Sequence, residues 1–243
     1  MRDAPPPRPL DHPSPSRVLT SSGPLRTVVT VPSAACPRCP APVAPPGDGS
    51  SLWSCPEHGP VPPLWHAAEA SYDGFAEHLR RAGHFPTFLP WPLSPGWAVT
   101  DFAAVGEGEA AVATMTCVSG PSRLDGPVDV HVVAEEPGTG FAARVAGTAR
   151  ADPGPEAGHG PADVRVRLER QQVPLWTVSA SASPGEWDRS VLAGEAQGRW
   201  LWLVVRPASA VLLLRDDWIL RDVSMVGPAV VELPFDGPAP GWT

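Results

Sequence analysis

Trp200-Leu-Trp-Leu-Val-Val205 is apolar at every position, so a strand built from it offers apolar side chains to both faces of a sheet. Such a strand belongs at a sheet's centre, covered on both sides. Around it the chain reads as strand after strand, with Gly, Pro or Asp between: Trp97–Ala104, Ala110–Ser119, Val128–Ala134, Ala142–Val145, Val164–Leu168, Leu175–Val178, Ser190–Gly194, Arg199–Arg206, Ala210–Leu214, Ile219–Val223 and Val230–Leu233. Val164, Val166 and Leu168 alternate with Arg165 and Arg167, the mark of a strand with one wet face. Ala151 to Gly160 is a loop between two groups of strands. The expected class is mainly β: an antiparallel domain over residues 63–243 with one helix.

That helix is predicted over Ser71 to Ala82, with Ser71 as N-cap, Asp73 in the first turn, Arg80 and Arg81 in the last, and Gly83 as its stop. Tyr72, Phe75, Ala76 and Leu79 form its apolar stripe. Phe85 to Trp97 follows as an extended arm, because its prolines forbid helix, and its rings are expected to tuck under the sheet. Trp91 is left as a candidate for a surface role.

Upstream, Cys36-Pro-Arg-Cys39 and Cys55-Pro-Glu-His58 are two C-x-x-C/H pairs separated by a loop rich in Pro, Gly and Ser. Two tight turns at this spacing grip one tetrahedral ion, as in a zinc ribbon, so Cys36, Cys39, Cys55 and His58 are the candidate metal ligands. Residues 32–62 hold too few aliphatics to fold alone, and the ion is what would order them. The expected order is knuckle, strand, turn (Gly47-Asp48-Gly49), strand (Ser51–Ser54) and knuckle. Four protein ligands close the sphere, so the zinc is expected to be structural. Gly59 suits the turn after the second pair, whereas Pro40 is expected to distort the first.

Composition narrows the chemistry. The 243 residues contain no Lys or Asn, and all 18 basic residues are Arg, a pattern of high-GC coding. A chain without Lys has no Schiff-base or phosphate-loop lysine. Its net charge of −8 opposes nucleic acid and anionic lipid alike. Three of the four cysteines belong to the metal motif, which points to a reducing compartment, the cytoplasm by default. No apolar run reaches membrane-span length. Residues 1–31, rich in Pro and Ser and without a secretory core, are expected to be a disordered leader or an over-long gene start.

The chain resembles an uncharacterised family of actinobacterial proteins with a zinc-ribbon-like start. The resemblance rests on Cys36-x-x-Cys39 with Trp53-x-Cys55-x-x-His58-Gly59, on Pro90-Trp-Pro-Leu-x-Pro-Gly-Trp97, and on Val133-Ala-Glu-Glu-Pro-Gly-x-Gly140. Asp152-Pro-Gly-Pro155, Pro174-Leu-Trp176 and Gly194-Glu-Ala-x-Gly-x-Trp-Leu-Trp202 continue it. It implies the metal ligands and no activity. The chain departs from the pattern at Pro40, where Gly is usual, and in its leader.

No catalytic constellation is legible. Glu135 and Glu136, adjacent near a strand end, read as solvated carboxylates whose side chains point apart. Glu195 sits in a hairpin connection within reach of Arg199, and Asp216 and Asp217 read as turn residues. His66, His78, His84 and His131 have no partner in the sequence, and His84 beside the arm is the one worth testing. The functional expectation is a non-catalytic zinc-ribbon protein that binds a protein partner. Two alternatives stand beside it: a nucleic-acid-binding ribbon, and a ligand-binding or enzymatic β domain using Trp91, Trp97 and Glu195.

Overall fold

The computed structural model describes residues 34–47, 52–178, 188–214, 218–227, 232–237 and 241–242. The expected leader, Asp48-Gly49, Ser51, Asp216 with Asp217, and Val230 with Val231 lie outside them. In chain order the strands are β1 (Trp53–Cys55), β2 (Gly59–Val61), β3 (Leu64–His66), β4 (Phe88–Pro90), β5 (Ala98–Val105), β6 (Ala113–Ser122), β7 (Gly126–Glu135), β8 (Val164–Leu168), β9 (Gln171–Thr177), β10 (Ser190–Ala196), β11 (Arg199–Arg206) and β12 (Ile219–Asp222). Helix α1 (Tyr72–Ala82) precedes β4, and α2 (Phe141–Ala146) follows β7. The fold is mainly β, and Pro32–Thr243 is one compact unit.

A ten-stranded sheet runs in the order β3-β5-β6-β7-β11-β10-β9-β8-β12-β4, while β1 and β2 form a separate hairpin. The pairs are antiparallel apart from β8 with β12, an exception to the all-antiparallel expectation. Strand β11 lies between β7 and β10, as its two apolar faces demand. Leu201, Leu203 and Val205 point to one core with Val130, Val132 and Ala134 of β7, and Trp202 and Val204 point to another with Val133 and Met115. The sheet curls about the first core. Its last strand, β4, returns onto β6, where the hydroxyls of Thr114 and Thr116 donate to the carbonyls of Pro86 and Phe88. The arm therefore does bury its rings: Phe85, Phe88 and Trp97 all lie in the inner core.

Ser71 caps α1 as expected, its hydroxyl accepting from the Gly74 N–H at 3.1 Å, and Gly83 ends it with φ of 57°. The buried face differs from the expected stripe. Phe75, His78 and Ala82 are its buried members, whereas Tyr72 is 46% exposed. His78 goes inside because its ring stacks on Phe75 and its Nε2 meets the Thr87 hydroxyl at 3.2 Å, which satisfies one polar atom.

Two expected strands are not strands. Ala142–Val145 belongs to helix α2, because Gly140 and Gly147, both with positive φ, bracket a run too short to extend and the end of β7 supplies a cap to its first N–H groups. Ala210–Leu214 lies in a 3-10 turn over Ala208–Leu214, which sends Ala210 and Leu214 to the core together. The expected strand from Ala110 begins at Ala113 instead, after a 3-10 turn over Gly108–Ala110.

Gly120 on β6 carries the Trp97 ring directly on its backbone. A Cβ there would lie 2.3 Å from the indole, closer than any real contact. Gly120→Ala is expected to cost about 1–3 kcal/mol through displacement of the arm, seen as a lower midpoint in urea unfolding. An unchanged midpoint would show that the arm is not anchored at this point.

Candidate metal centre

Each ligand pair sits on a short paired element. Cys36 follows Ala35, which bridges to Pro42 and to Leu64 of β3, and the Cys36 N–H donates to the Ala41 carbonyl at 2.9 Å across the first turn. The turn thus closes despite Pro40. Cys55 ends β1, His58 precedes β2, and Gly59 with φ of 66° lets the chain reverse between them. A strand leads into the second pair as expected, and that pair is the tip of the β1–β2 hairpin. A bridge from Ala44 to Ser54 ties the two turns together.

The four ligand atoms of Cys36, Cys39, Cys55 and His58 lie within 4.8 Å of one another, close enough to bind a metal ion. Cys36 Sγ to His58 Nδ1, Cys55 Sγ to His58 Nδ1 and Cys39 Sγ to Cys55 Sγ are each 3.7 Å. A tetrahedron with metal–sulfur arms of about 2.3 Å has edges of about 3.7–3.8 Å. The observed spacings match that figure, and nitrogen enters through Nδ1. Cys36 and Cys55 are buried, Cys39 is half-buried and His58 is exposed. Burial pushes the Cys36 thiol up to about 11, so an ion must displace a firmly held proton there. At Cys55 burial also works upward, but the His58 ring and the Glu57 and His58 N–H groups outweigh it and bring the thiol down to about 6.

Two arginines join this hairpin to the sheet. Arg38, between the first two ligands, donates from Nη2 to the Gly138 carbonyl at 2.6 Å and from Nε to the Thr139 carbonyl at 3.0 Å. Arg144 of α2 donates to the Cys36 carbonyl, and its guanidinium lies 5.0 Å from the Trp242 ring. Three thiolates and a divalent ion would carry one net negative charge, and Arg144 is the cation whose electrostatics couple it to Cys39 and Cys36. Trp53 and Trp65 meet edge to face at 5.6 Å over the hairpin, and Arg81 of α1 lies 4.0 Å above Trp65.

Elsewhere the structure redistributes the candidate residues. Glu135 is fully buried, not solvated, and its Oε2 accepts from the Phe141 and Ala142 N–H groups at 2.9 and 3.0 Å. Glu136 is exposed, so the two do point apart. Glu195 does not pair with Arg199: its carboxylate closes the hairpin turn by accepting from the Gly198 N–H at 2.7 Å, and Arg199 lies over the Phe85 ring. Trp91 and Trp97 line one concavity, without Glu195. His84 is exposed, and His131 is buried opposite Cys117.

One group escaped the sequence altogether. Asp101, 2% exposed, accepts from Trp242 Nε1 at 2.6 Å and the Phe102 N–H at 2.8 Å, and its Oδ1 lies 2.6 Å from His66 Nε2. Its partners are 35 and 141 residues away, so spacing could not reveal them. The usable signal was an acid inside the apolar strand Ala98–Val105. No serine, threonine or cysteine of the described residues hydrogen-bonds to His66.

A family model covers residues 31–241 and describes a family of unknown function, DUF6758. The chain belongs to that family. No curated protein and no solved structure matches it. The resemblance read from the motifs therefore holds at the level of a family without an assigned role.

Burial pushes the Glu135 carboxyl up to about 8, against the pull of two helix N–H groups, and the nearby charge of Asp152 adds to the rise. Its share of stability is present below the ordinary value of 4.5 and is lost as pH rises through about 8. Glu135→Gln, neutral at every pH, should gain on the wild type in melting temperature from pH 4.5 to about 8 and gain no further above it. A gap constant across that range would show a carboxylate already ionised. The buried imidazoles of His78 and His131, both held near 3 by burial, act in the opposite sense and withdraw stability as pH falls below 6.5.

Proposed function

We propose that this member of the family is a non-catalytic protein-interaction module whose N-terminal hairpin is held by a structural zinc ion on Cys36, Cys39, Cys55 and His58. The observation that carries the reading is the closed ligand set: four donors, three of them soft thiols, at tetrahedral spacings. A sphere filled by protein leaves no position for substrate or water, and zinc so bound contributes to folding rather than to chemistry. Three cysteines free of disulfides suit a reducing compartment, which supports a cytoplasmic location. Among the described residues no helix is long and apolar enough to cross a membrane.

The polar groups outside the metal site support the same reading. Asp101 spends its oxygens on His66, Trp242 and the Phe102 N–H, and Glu135 caps α2, so both serve packing. A net charge of −8 weighs against a phosphate-binding surface, and with it against the nucleic-acid alternative.

Protein purified without a metal-binding tag should carry about one zinc per chain, and Cys55→Ser should carry none. Hydrogen exchange should then quicken at the Cys36 and Leu64 N–H groups while the β7–β11 ladder stays protected. A zinc-free wild type with the hairpin ordered would defeat the structural-zinc reading. Binding of the zinc-loaded chain to single-stranded or duplex DNA at low salt would favour the nucleic-acid alternative.

A further inference from the structure

The Trp91–Trp97 arm leaves the sheet's edge as a ridge with a hollow on each flank. One hollow, of about 500 Å³, is lined by Trp91, Leu93, Pro95 and Trp97 and closed by Glu232 and Asp236. The other, of about 390 Å³, lies between the same arm and Leu212, Leu213 and Trp218. Together they offer the half-buried indoles of Trp91 and Trp218, the edge of the buried Trp97, several prolines and leucines, and two carboxylates in one hollow only. We propose that this groove binds a proline-rich segment of a partner protein that carries a basic residue, a proposal that rests on the protein-interaction reading above.

Three observations select that chemistry. Strand addition is disfavoured, because on β4 the Phe88 carbonyl already accepts from Thr116, the preceding Pro86 carbonyl accepts from Thr114, and Pro90 has no N–H to offer. Recognition must therefore run through side-chain faces. Flat indoles beside prolines fit a polyproline helix, which is already extended and loses little entropy on docking. The third observation is charge. No arginine or histidine of the described residues lies within ion-pair distance of Glu232 or Asp236, and Asp236 takes only the Gly237 N–H, at 2.7 Å. Arg221, which lines neither hollow, lies 5.3 Å from the Trp91 ring. An incoming Arg or Lys is thus drawn to the Glu232/Asp236 end, which sets the direction of the bound segment. Rigid anchoring favours the same role: Trp97 lies flat on Gly120 and meets Trp218 edge to face at 6.1 Å, so the walls are formed before a ligand arrives.

Selection from a random peptide library on the intact, zinc-loaded chain should enrich proline-rich sequences with one flanking Arg or Lys. Anisotropy with a labelled polyproline probe carrying one arginine should then saturate. Trp91→Ala should weaken it more than about tenfold, as loss of an aromatic anchor does. The exposed double change Glu232→Arg with Asp236→Arg, which leaves the core untouched, should turn the preference toward a probe with glutamate in place of arginine. Enrichment of no motif, or of one without proline or a cation, would overturn the proposal. So would an unchanged affinity after charge reversal, or saturable binding of an oligosaccharide in place of peptide. Should a partner protein bind the charge-reversed chain as well as the wild type, the groove proposal fails and the interaction reading stands; should no protein bind either chain, both fail.

Discussion

A central strand with apolar side chains on both faces has to be covered twice, and the rest of the molecule follows from that requirement. On one face of β11, Leu201, Leu203 and Val205 need a core, which the sheet provides by curling until β4 and the arm close over β6. On the other, Trp202 and Val204 need a lid, and the short helix α2 with Phe141, Val145 and Trp242 supplies it. Each large apolar side chain so buried contributes about 1.5–3 kcal/mol. Two layers around one sheet are therefore a consequence of eight residues, Arg199–Arg206.

The lid in turn is fastened through polar contacts rather than by area. Arg144 projects from α2 to the Cys36 carbonyl on one side and over the Trp242 ring on the other, so a single guanidinium joins the metal hairpin, the helix and residues 241–242. Arg38 makes the reciprocal tie from the hairpin to the loop before α2. A buried arginine pays for desolvation unless an anion is near: burial pulls Arg144 down, and ionised Cys39 and Cys36 sulfurs would act against it. A metal bound by those thiols would keep negative charge beside Arg144, which would tie the candidate site to the lid.

Much of this was legible from residues alone, and what was not has specific causes. The β11 assignment came from an unbroken apolar run, and Val164–Leu168 from strict alternation, because a period of two leaves no other element. The ligand pairs were readable because tetrahedral coordination constrains spacing along the chain. Ala142–Val145 reads as a strand because a short, mostly apolar run fits a buried strand as well as a buried helix, and only Gly140, Gly147 and the Glu135 carboxylate decide between them. Tyr72 looked like core by period, yet His78 took the place because Thr87, nine residues on, gives its ring a partner. Asp101 with His66 and Trp242 depends on three strands or tails meeting, which no local pattern encodes.

The residues missed share a property, which says what they do. Glu135, Asp101 and His78 are each polar, almost fully buried, and hydrogen-bonded to a partner outside their own element, although Glu135 Oε1 and His78 Nδ1 stay unpaired. Apolar contacts are tolerant: α2 could slide along the outer face of the sheet and lose little area. A carboxyl that must meet the N–H groups of Phe141 and Ala142, or an aspartate that must meet the Trp242 indole, tolerates no such slide, because a miss leaves a buried polar group unpaired at a cost of about 1–3 kcal/mol. Hydrophobic pattern thus makes the fold compact, and these few polar pairs choose one register for each covering element. That is why they sit where covering elements meet the sheet, and why a sequence reading built on apolar periodicity passes over them.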